Sequence, residues 1–486
     1  MTPRRILRQA LPPGTPKTAV AIVGAGACGL TSALLLHDLG IDCVVLERDA
    51  SPSGSTALSS GFIPAAGTRA QAAQGIGDNA ERFAADIAAK THGTAASHLV
   101  AAYSRASGPA IDALQSNHGI EWTVLDNFLY PGHYTLRMHA VPERTGAALM
   151  ARLGQAAATA EIAIVTQAQV DALWVGDGDR ITGVSYARPD GATEHLACDV
   201  LLLACNGFGG NTNQVRELLP DMRDAIYAGH AGNDGSAIAW GQLLGARLAD
   251  LGGYQGHGSW AVPQGALISW ALMMEGGIQL NSRGQRFHDE TQGYSEAAVA
   301  VLAQAGGLAW NVFDGPLLTL ARSFPDFCEA EAAGALKTCA SLQELAQLIG
   351  CSVGNLEATC ACFGQDEGRF FQSNHSGNSE NSTHPVAADT RTFKRALAAP
   401  YYAVKVTGAL FHTQGGLDID AACRVLRSDG SPFPNLLAAG GAARGVSGNA
   451  VWGYLSGNGL LSAVAGGYIA AHTAAQTLAP VHPTTP

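Results

Sequence analysis

Three glycines, Gly24, Gly26 and Gly29, share the spacing Gly-x-Gly-x-x-Gly, a pattern that recognises ligands with backbone rather than side chains. Gly24 makes a tight turn, Gly26 lets backbone approach a pyrophosphate, and Gly29 lets a helix pack on a strand. N–H groups at the helix start, at Cys28 and Gly29, then hold the negative charge. The elements that must position this loop are readable on either side. Thr18 to Val23 is a β-branched run, Leu30 to Leu39 has helical periodicity stopped by Gly40, and Ile41 to Leu46 is a second buried strand. It ends in Glu47, 18 residues beyond Gly29. A carboxylate at that point accepts hydrogen bonds from both ribose hydroxyls of an adenosine and repels a 2′-phosphate. Arg48 follows it and completes this edge of the pocket.

A run of small residues comes next, Gly54 to Thr68, with Ser55, Thr56, Ser59, Ser60 and Gly61 at its centre. Such a segment lets backbone lie flush against an isoalloxazine edge and supplies hydroxyl and amide donors, which favours FAD over NAD. Farther on, Val200 to Cys205, carrying Ala204, feeds the glycine turn Asn206-Gly207-Phe208-Gly209-Gly210, with strand-rich stretches before it. Between about Tyr254 and Ala399 the pattern shifts to clustered aromatics, turns and short helices. After Pro400 the strand and glycine-turn grammar returns until about residue 472. These shifts predict an α/β protein: a two-dinucleotide-binding, Rossmann-like FAD domain interrupted by a smaller α+β cap. The expected parts are an N-terminal extension (1–17), the first FAD-binding part (18–254), the cap (255–399), the second FAD-binding part (400–475) and a flexible tail (476–486).

Composition narrows the function classes. With 47% hydrophobic and 14% charged residues, the 486-residue chain can bury more than one core. A formal charge of -11 and the lack of a basic run argue against a nucleic-acid partner. The 10 cysteines are scattered, and the close pair Cys360 and Cys362 lacks zinc or iron-sulfur spacing, so no metal site is expected and the cysteines suit a reducing, cytoplasmic setting. No apolar stretch of about 18 residues runs without a glycine or charge break, so no membrane span is expected, and Arg4-Arg5 is not followed by the apolar core of a signal peptide.

Five ordered motifs resemble the flavoprotein family that contains succinate dehydrogenase, fumarate reductase and the 3-ketosteroid dehydrogenases. They are Val23 to Gly29, Ser55 to Gly61, Gly276 to Glu290, His412-Thr-Gln-Gly-Gly416, and Leu437 to Gly441 continuing through Ser456-Gly457-Asn458-Gly459. The resemblance implies that Gly440, Gly441, Ser456, Gly457, Asn458 and Leu460 reach the flavin ring. It also implies that the helix beginning at Gly459 aims its positive end at the N1/O2 edge. Members with covalent FAD carry a histidine where this chain has Ser55, so non-covalent FAD is expected.

The same resemblance separates substrate classes. Fumarate reductases hold a dicarboxylate with a Thr-Glu pair and several arginines. Here Ser269-Trp270 stands at the pair, Gln292-Gly-Tyr294-Ser295 replaces the segment with the cap arginine, and Tyr454 takes the place of the C-terminal arginine. Losing guanidinium groups removes bidentate carboxylate recognition. Tyrosines at those places are similar to the ketosteroid dehydrogenases, in which a cap tyrosine is the base and a C-terminal tyrosine polarises a ketone. The implied reaction is α,β-desaturation of a small cyclic ketone: Tyr294 takes the α-proton, Tyr454 with nearby Ser456 holds the carbonyl oxygen, and a hydride passes to flavin N5.

Free tyrosine ionises near pH 10, so Tyr294 needs help from a neighbour, with Tyr130, Tyr134 and His288 as candidates. His412 stands at the family's substrate-binding histidine, and His257 matches another loosely. Two alternatives remain beside desaturation with an unidentified electron acceptor: reduction of an activated C=C bond, and a flavin-binding electron carrier without catalysis.

Overall fold

The computed structural model describes residues 3–126, 128–361 and 395–479, so Cys362 and the last seven residues lie outside the described residues. The chain divides into two units. The first comprises residues 1–220, 227–255 and 411–486, and the second residues 221–226 and 256–410.

The first unit is built on a nine-stranded sheet. The strand Lys17–Val23 lies between Thr193–Leu203 and Cys43–Leu46, parallel to both, and Ala163–Val165 extends the parallel edge. Lys17–Val23 is buried from Val20 onward, as a strand covered on both faces must be. Thr193–Leu203 has two uses. Its first residues form an antiparallel hairpin with Ile181–Ala187, and its last three pair in parallel with Pro432–Ala438. The C-terminal part of the chain thus re-enters the sheet beside the N-terminal part, the arrangement expected of an interrupted domain. The extension contributes too: Arg5–Leu7 adds an edge strand on Gln169–Val175.

Two helices matter most for the site. Ala27–Asp38 follows the first glycine turn, and Asn458–Leu478 packs against it in the same core. The second helix has small residues where it is closest: a Cβ on Gly467 would sit 2.8 Å from the Cys28 carbonyl oxygen.

The second unit is framed by a seven-stranded sheet in the order Ala266–Leu267, Tyr254–Ala261, Tyr401–Thr413, Leu308–Phe313, Ile278–Leu280, with Ile226–Tyr227 and Lys337–Cys339 also pairing with Tyr401–Thr413. Trp270, Phe313, Phe327 and Val404 belong to its apolar core. Composition indicated aromatics and turns here but gave no sign of so extended a sheet, because strands such as Tyr254–Ala261 carry glycine and histidine among the buried positions.

Candidate active site

In the first glycine turn each glycine has a separate steric reason. Gly24 has φ +105°, and a Cβ there would lie 2.6 Å from the Ala204 carbonyl oxygen. A Cβ on Gly29 would lie 1.9 Å from the Gly24 oxygen, so helix and loop meet only because that residue is glycine. A Cβ on Gly26 would meet nothing closer than Thr56 Oγ1 at 3.7 Å, which leaves the backbone open on that side. Gly26 supplies no side-chain cap to the helix Ala27–Asp38, and its first turn holds no acidic residue. That is the state of a helix end suited to an anion.

Glu47 is buried, and its carboxylate accepts from the Ala25 and Asp49 N–H groups at 2.8 and 2.9 Å. One bond to each oxygen fixes the group and leaves each oxygen further acceptor capacity for a ribose. Arg48 donates to the Gly232 carbonyl at 2.7 Å.

The small-residue segment folds as a short helical turn, Gly54–Ala57, tied inward. Ser55 Oγ accepts from His230 N and Asn233 Nδ2, and Thr56 Oγ1 accepts from Ala27 N at 3.3 Å. Ser59 Oγ donates to the Thr56 carbonyl and accepts from Gly61 N. Ser60 continues the loop. Across the sheet, Gly207 and Gly441 are complementary: a Cβ on Gly207 would lie 2.0 Å from Thr413 Oγ1, and one on Gly441 2.0 Å from Asn206 Oδ1. Gly440, at φ +60°, lies over Cys28, whose thiol is buried and held well above its usual range by desolvation.

The helix Asn458–Leu478 starts after Gly457, at φ +86°, again without a side-chain cap or acidic first turn. Asn458 is fully buried, and among the described residues its Oδ1 has no hydrogen-bond partner. An orphaned acceptor at one uncapped helix end, and an open, glycine-lined end at the other, fit a long group with anionic phosphates and a heteroatom-rich ring. The residues present therefore fit FAD.

Beside the Asn458 helix the first unit brings together Tyr454 and His412. Tyr454 is buried, and its hydroxyl lies 3.5 Å from His412 Nε2, with the rings edge to face at 5.5 Å. Leu460 lies in the first turn of that helix, and a Cβ on Gly459 would be 2.5 Å from His412 Nε2. The Ser456 carbonyl accepts from His133 Nε2 at 2.9 Å. Burial lowers the His412 pKa to about 4, so the imidazole is neutral near pH 7.

In the second unit Tyr294 is the first residue of the helix Tyr294–Leu302. Its ring stacks on His257 at 4.9 Å and 19°, and His257 meets Trp270 edge to face at 5.8 Å. Burial lowers the His257 pKa to about 3. Its Nδ1 accepts from Ser259 N, which leaves the proton on Nε2. His288 is occupied elsewhere: its Nε2 is 2.7 Å from Gln279 Oε1. Trp270 donates its indole N–H to the Glu290 carbonyl, and Glu290 pairs with Arg286. Tyr130 packs edge-on against Phe62 and Phe128, whereas Tyr134 is 80% exposed.

Two polar hubs escaped the sequence reading. Gln279 binds the Gly258 carbonyl, Asn311 Oδ1 and His288. Gln414 binds His412 and Ser447. The second had no periodic signal, because Gln414 stands just past the end of the strand Tyr401–Thr413.

Residues 19–460 match the FAD binding domain family, and the chain belongs to it as one of its FAD-dependent oxidoreductases. The probable fumarate reductase Ifc3 of Shewanella frigidimarina is 26% identical over 94% of this chain and 75% of its own length. The 4-oxocyclohexanecarboxylate 2-dehydrogenase of Sinomonas cyclohexanicum is 24% identical, covering 88% of each chain. The chain spans 47% of another relative, the NADH:fumarate oxidoreductase of Klebsiella pneumoniae. Among solved structures, 3-ketosteroid-delta4-(5alpha)-dehydrogenase from Rhodococcus jostii has the same fold, with a TM-score of 0.74 and 22% identity over 97% of this chain and 99% of that one. These homologues act on CH–CH groups. Among the described residues no helix is long and apolar enough to cross a membrane.

Proposed function

We propose that this protein desaturates a small cyclic ketone or related oxo compound between its α and β carbons, using non-covalently bound FAD. The observation that carries the reading is the pairing of Tyr454 with a half-buried, neutral histidine. A phenol beside a neutral imidazole is a single directional donor, suited to one carbonyl oxygen, whereas carboxylates recruit guanidinium forks.

The arginines support the same reading. Arg137 is buried against Asp78 and Asp86, Arg286 is engaged by Glu290, and Arg444 faces Asp250 and Asp418. Each of these guanidiniums is already matched by carboxylate charge.

FAD, when bound, supplies the acceptor for the hydride leaving the β-carbon. Tyr454 donates to the ketone oxygen, and this bond strengthens as the oxygen gains enolate charge. Tyr294, ionised to the phenolate, takes up the α-proton and becomes the neutral phenol, its ring packed on His257. Electrons then leave to an acceptor outside the chain. The reverse reaction, reduction of an activated C=C bond, is favoured by the fumarate reductases among the relatives, and the same two phenols would serve it.

Anaerobic mixing of the oxidised holoenzyme with cyclic ketones, 3-oxosteroids and carboxylic acids tests the reading. Loss of the visible flavin band with a ketone is expected, and bleaching by succinate alone would overturn it. For the cofactor, acid precipitation should release FAD into the supernatant, because Ser55 offers no nucleophilic imidazole. Flavin retained in the pellet would contradict non-covalent binding.

A further inference from the structure

His412 and Tyr454 sit at the end of a run of side-chain hydrogen bonds. Asn458 Nδ2 donates to Ser447 Oγ at 3.0 Å, and Ser447 donates its proton to Gln414 Oε1 at 2.7 Å. Gln414 Nε2 is 3.0 Å from His412 Nδ1, and His412 Nε2 faces the Tyr454 hydroxyl. Ser447, Gln414 and Asn458 are all buried. A serine hydroxyl has one proton, so giving it to Gln414 obliges Asn458 to present N–H on the other side. With its oxygen satisfied by Ser447, Gln414 turns its N–H toward His412, and Nδ1 must accept. The ring proton is then on Nε2.

The opposite tautomer has its own support. The Thr413 carbonyl lies 3.4 Å from Nδ1, a longer contact than the 3.0 Å to Gln414. In that state Nε2 carries a lone pair and captures the Tyr454 proton. The two tautomers therefore differ in which way the Tyr454 hydroxyl points.

We propose that Gln414, held by Ser447, is a positioning residue that fixes His412 as the Nε2–H tautomer, so that the imidazole donates to the Tyr454 hydroxyl instead of accepting from it. Tyr454 then directs its own proton to the substrate oxygen, and the bond it accepts from His412 strengthens the one it gives. The 3.5 Å separation tightens when a substrate oxygen orders the phenol, as catalytic hydrogen bonds do. The consequence for turnover rests on the ketone reading above; the tautomer itself does not.

The test is 15N NMR of the histidine-labelled holoenzyme without substrate, with a His412→Gln spectrum assigning that ring among the chain's 15 histidines. Protonated and unprotonated ring nitrogens resonate far apart, so the tautomer is read directly. Wild-type protein should show a protonated Nε2. In Gln414→Glu an ionised carboxylate can only accept, so the proton should move to Nδ1, with kcat for a bleaching ketone falling about 10-fold or more and KM changing little. Ser447→Ala, which frees the amide to rotate, should give a mixture of tautomers and a smaller loss. A wild-type proton on Nδ1, or an unchanged tautomer in both variants, would overturn the proposal. A correct tautomer switch in a protein that no ketone reduces would uphold it and sink the substrate reading instead.

Discussion

Each unit of the molecule carries a tyrosine beside a neutral histidine, half-buried in the first and buried in the second, but the geometry within the two pairs is different. In the first unit His412 meets Tyr454 edge to face, with a ring nitrogen near the hydroxyl. In the second His257 lies flat on Tyr294 at 4.9 Å and 19°. An imidazole's N–H groups lie in its ring plane, so an edge-on histidine presents a ring nitrogen to the hydroxyl, whereas a stacked one packs its face on the phenol ring. The same two residue types thus tune a donor in one unit and aim a base in the other. Because His257 is neutral, it does not act as a cation over the Tyr294 ring.

Substitutions can break this contrast. The largest loss is expected from Tyr294→Phe, which keeps the stacked ring and deletes the proton acceptor: flavin reduction should slow by about 100-fold to 10,000-fold with FAD content unchanged, in stopped-flow traces. Tyr454→Phe should cost about 100-fold to 1,000-fold in the same rate with modest change in ketone affinity, as expected for a bond that strengthens in the transition state. Replacing the histidines sharpens the comparison. His412→Phe removes a donor to the phenol and should cost about 10-fold, the scale of one neutral hydrogen bond, whereas His257→Phe keeps a flat ring under Tyr294 and should change the rate less. Equal losses from the two would erase the distinction drawn between the pairs.

The smallest effect is on stability against pH. Both histidines have folded pKa values below the usual 6.5, about 4 for His412 and about 3 for His257. The unfolded chain therefore binds more protons than the native one below pH 6.5. Their contribution is fully present above that value and is lost as pH falls toward 4 and 3. The melting temperature should drop through this window, and less steeply in the His257→Phe variant; an identical slope would show that His257 titrates normally.

The parts of this site that follow from backbone sterics were legible in the sequence. Gly24 and Gly29 are dictated by contacts no side chain survives, and their spacing announces the turn. Glu47 is legible because it ends a strand of recognisable pattern. The partners of the tyrosines were not, since side-chain networks such as Asn458-Ser447-Gln414-His412 join residues 46 positions apart without any local periodicity. His288 illustrates the limit from the other side. It was one of three candidate helpers for Tyr294; its Nε2 bonds Gln279, and His257 is a ring stacked against Tyr294. The sheet of the second unit was also obscured, because buried strands that carry histidine, glutamine and asparagine do not read as apolar runs.

The central claim is that the phenol pair serves a ketone and not a dicarboxylate. The most direct measurement is the anaerobic rate of flavin bleaching by a cyclic ketone and by succinate in wild-type protein and in Tyr454→Phe. The ketone should bleach the wild type rapidly and the variant about 100-fold more slowly, with succinate inert in both. Bleaching of the wild type by succinate, at a rate untouched by Tyr454→Phe, would contradict the account.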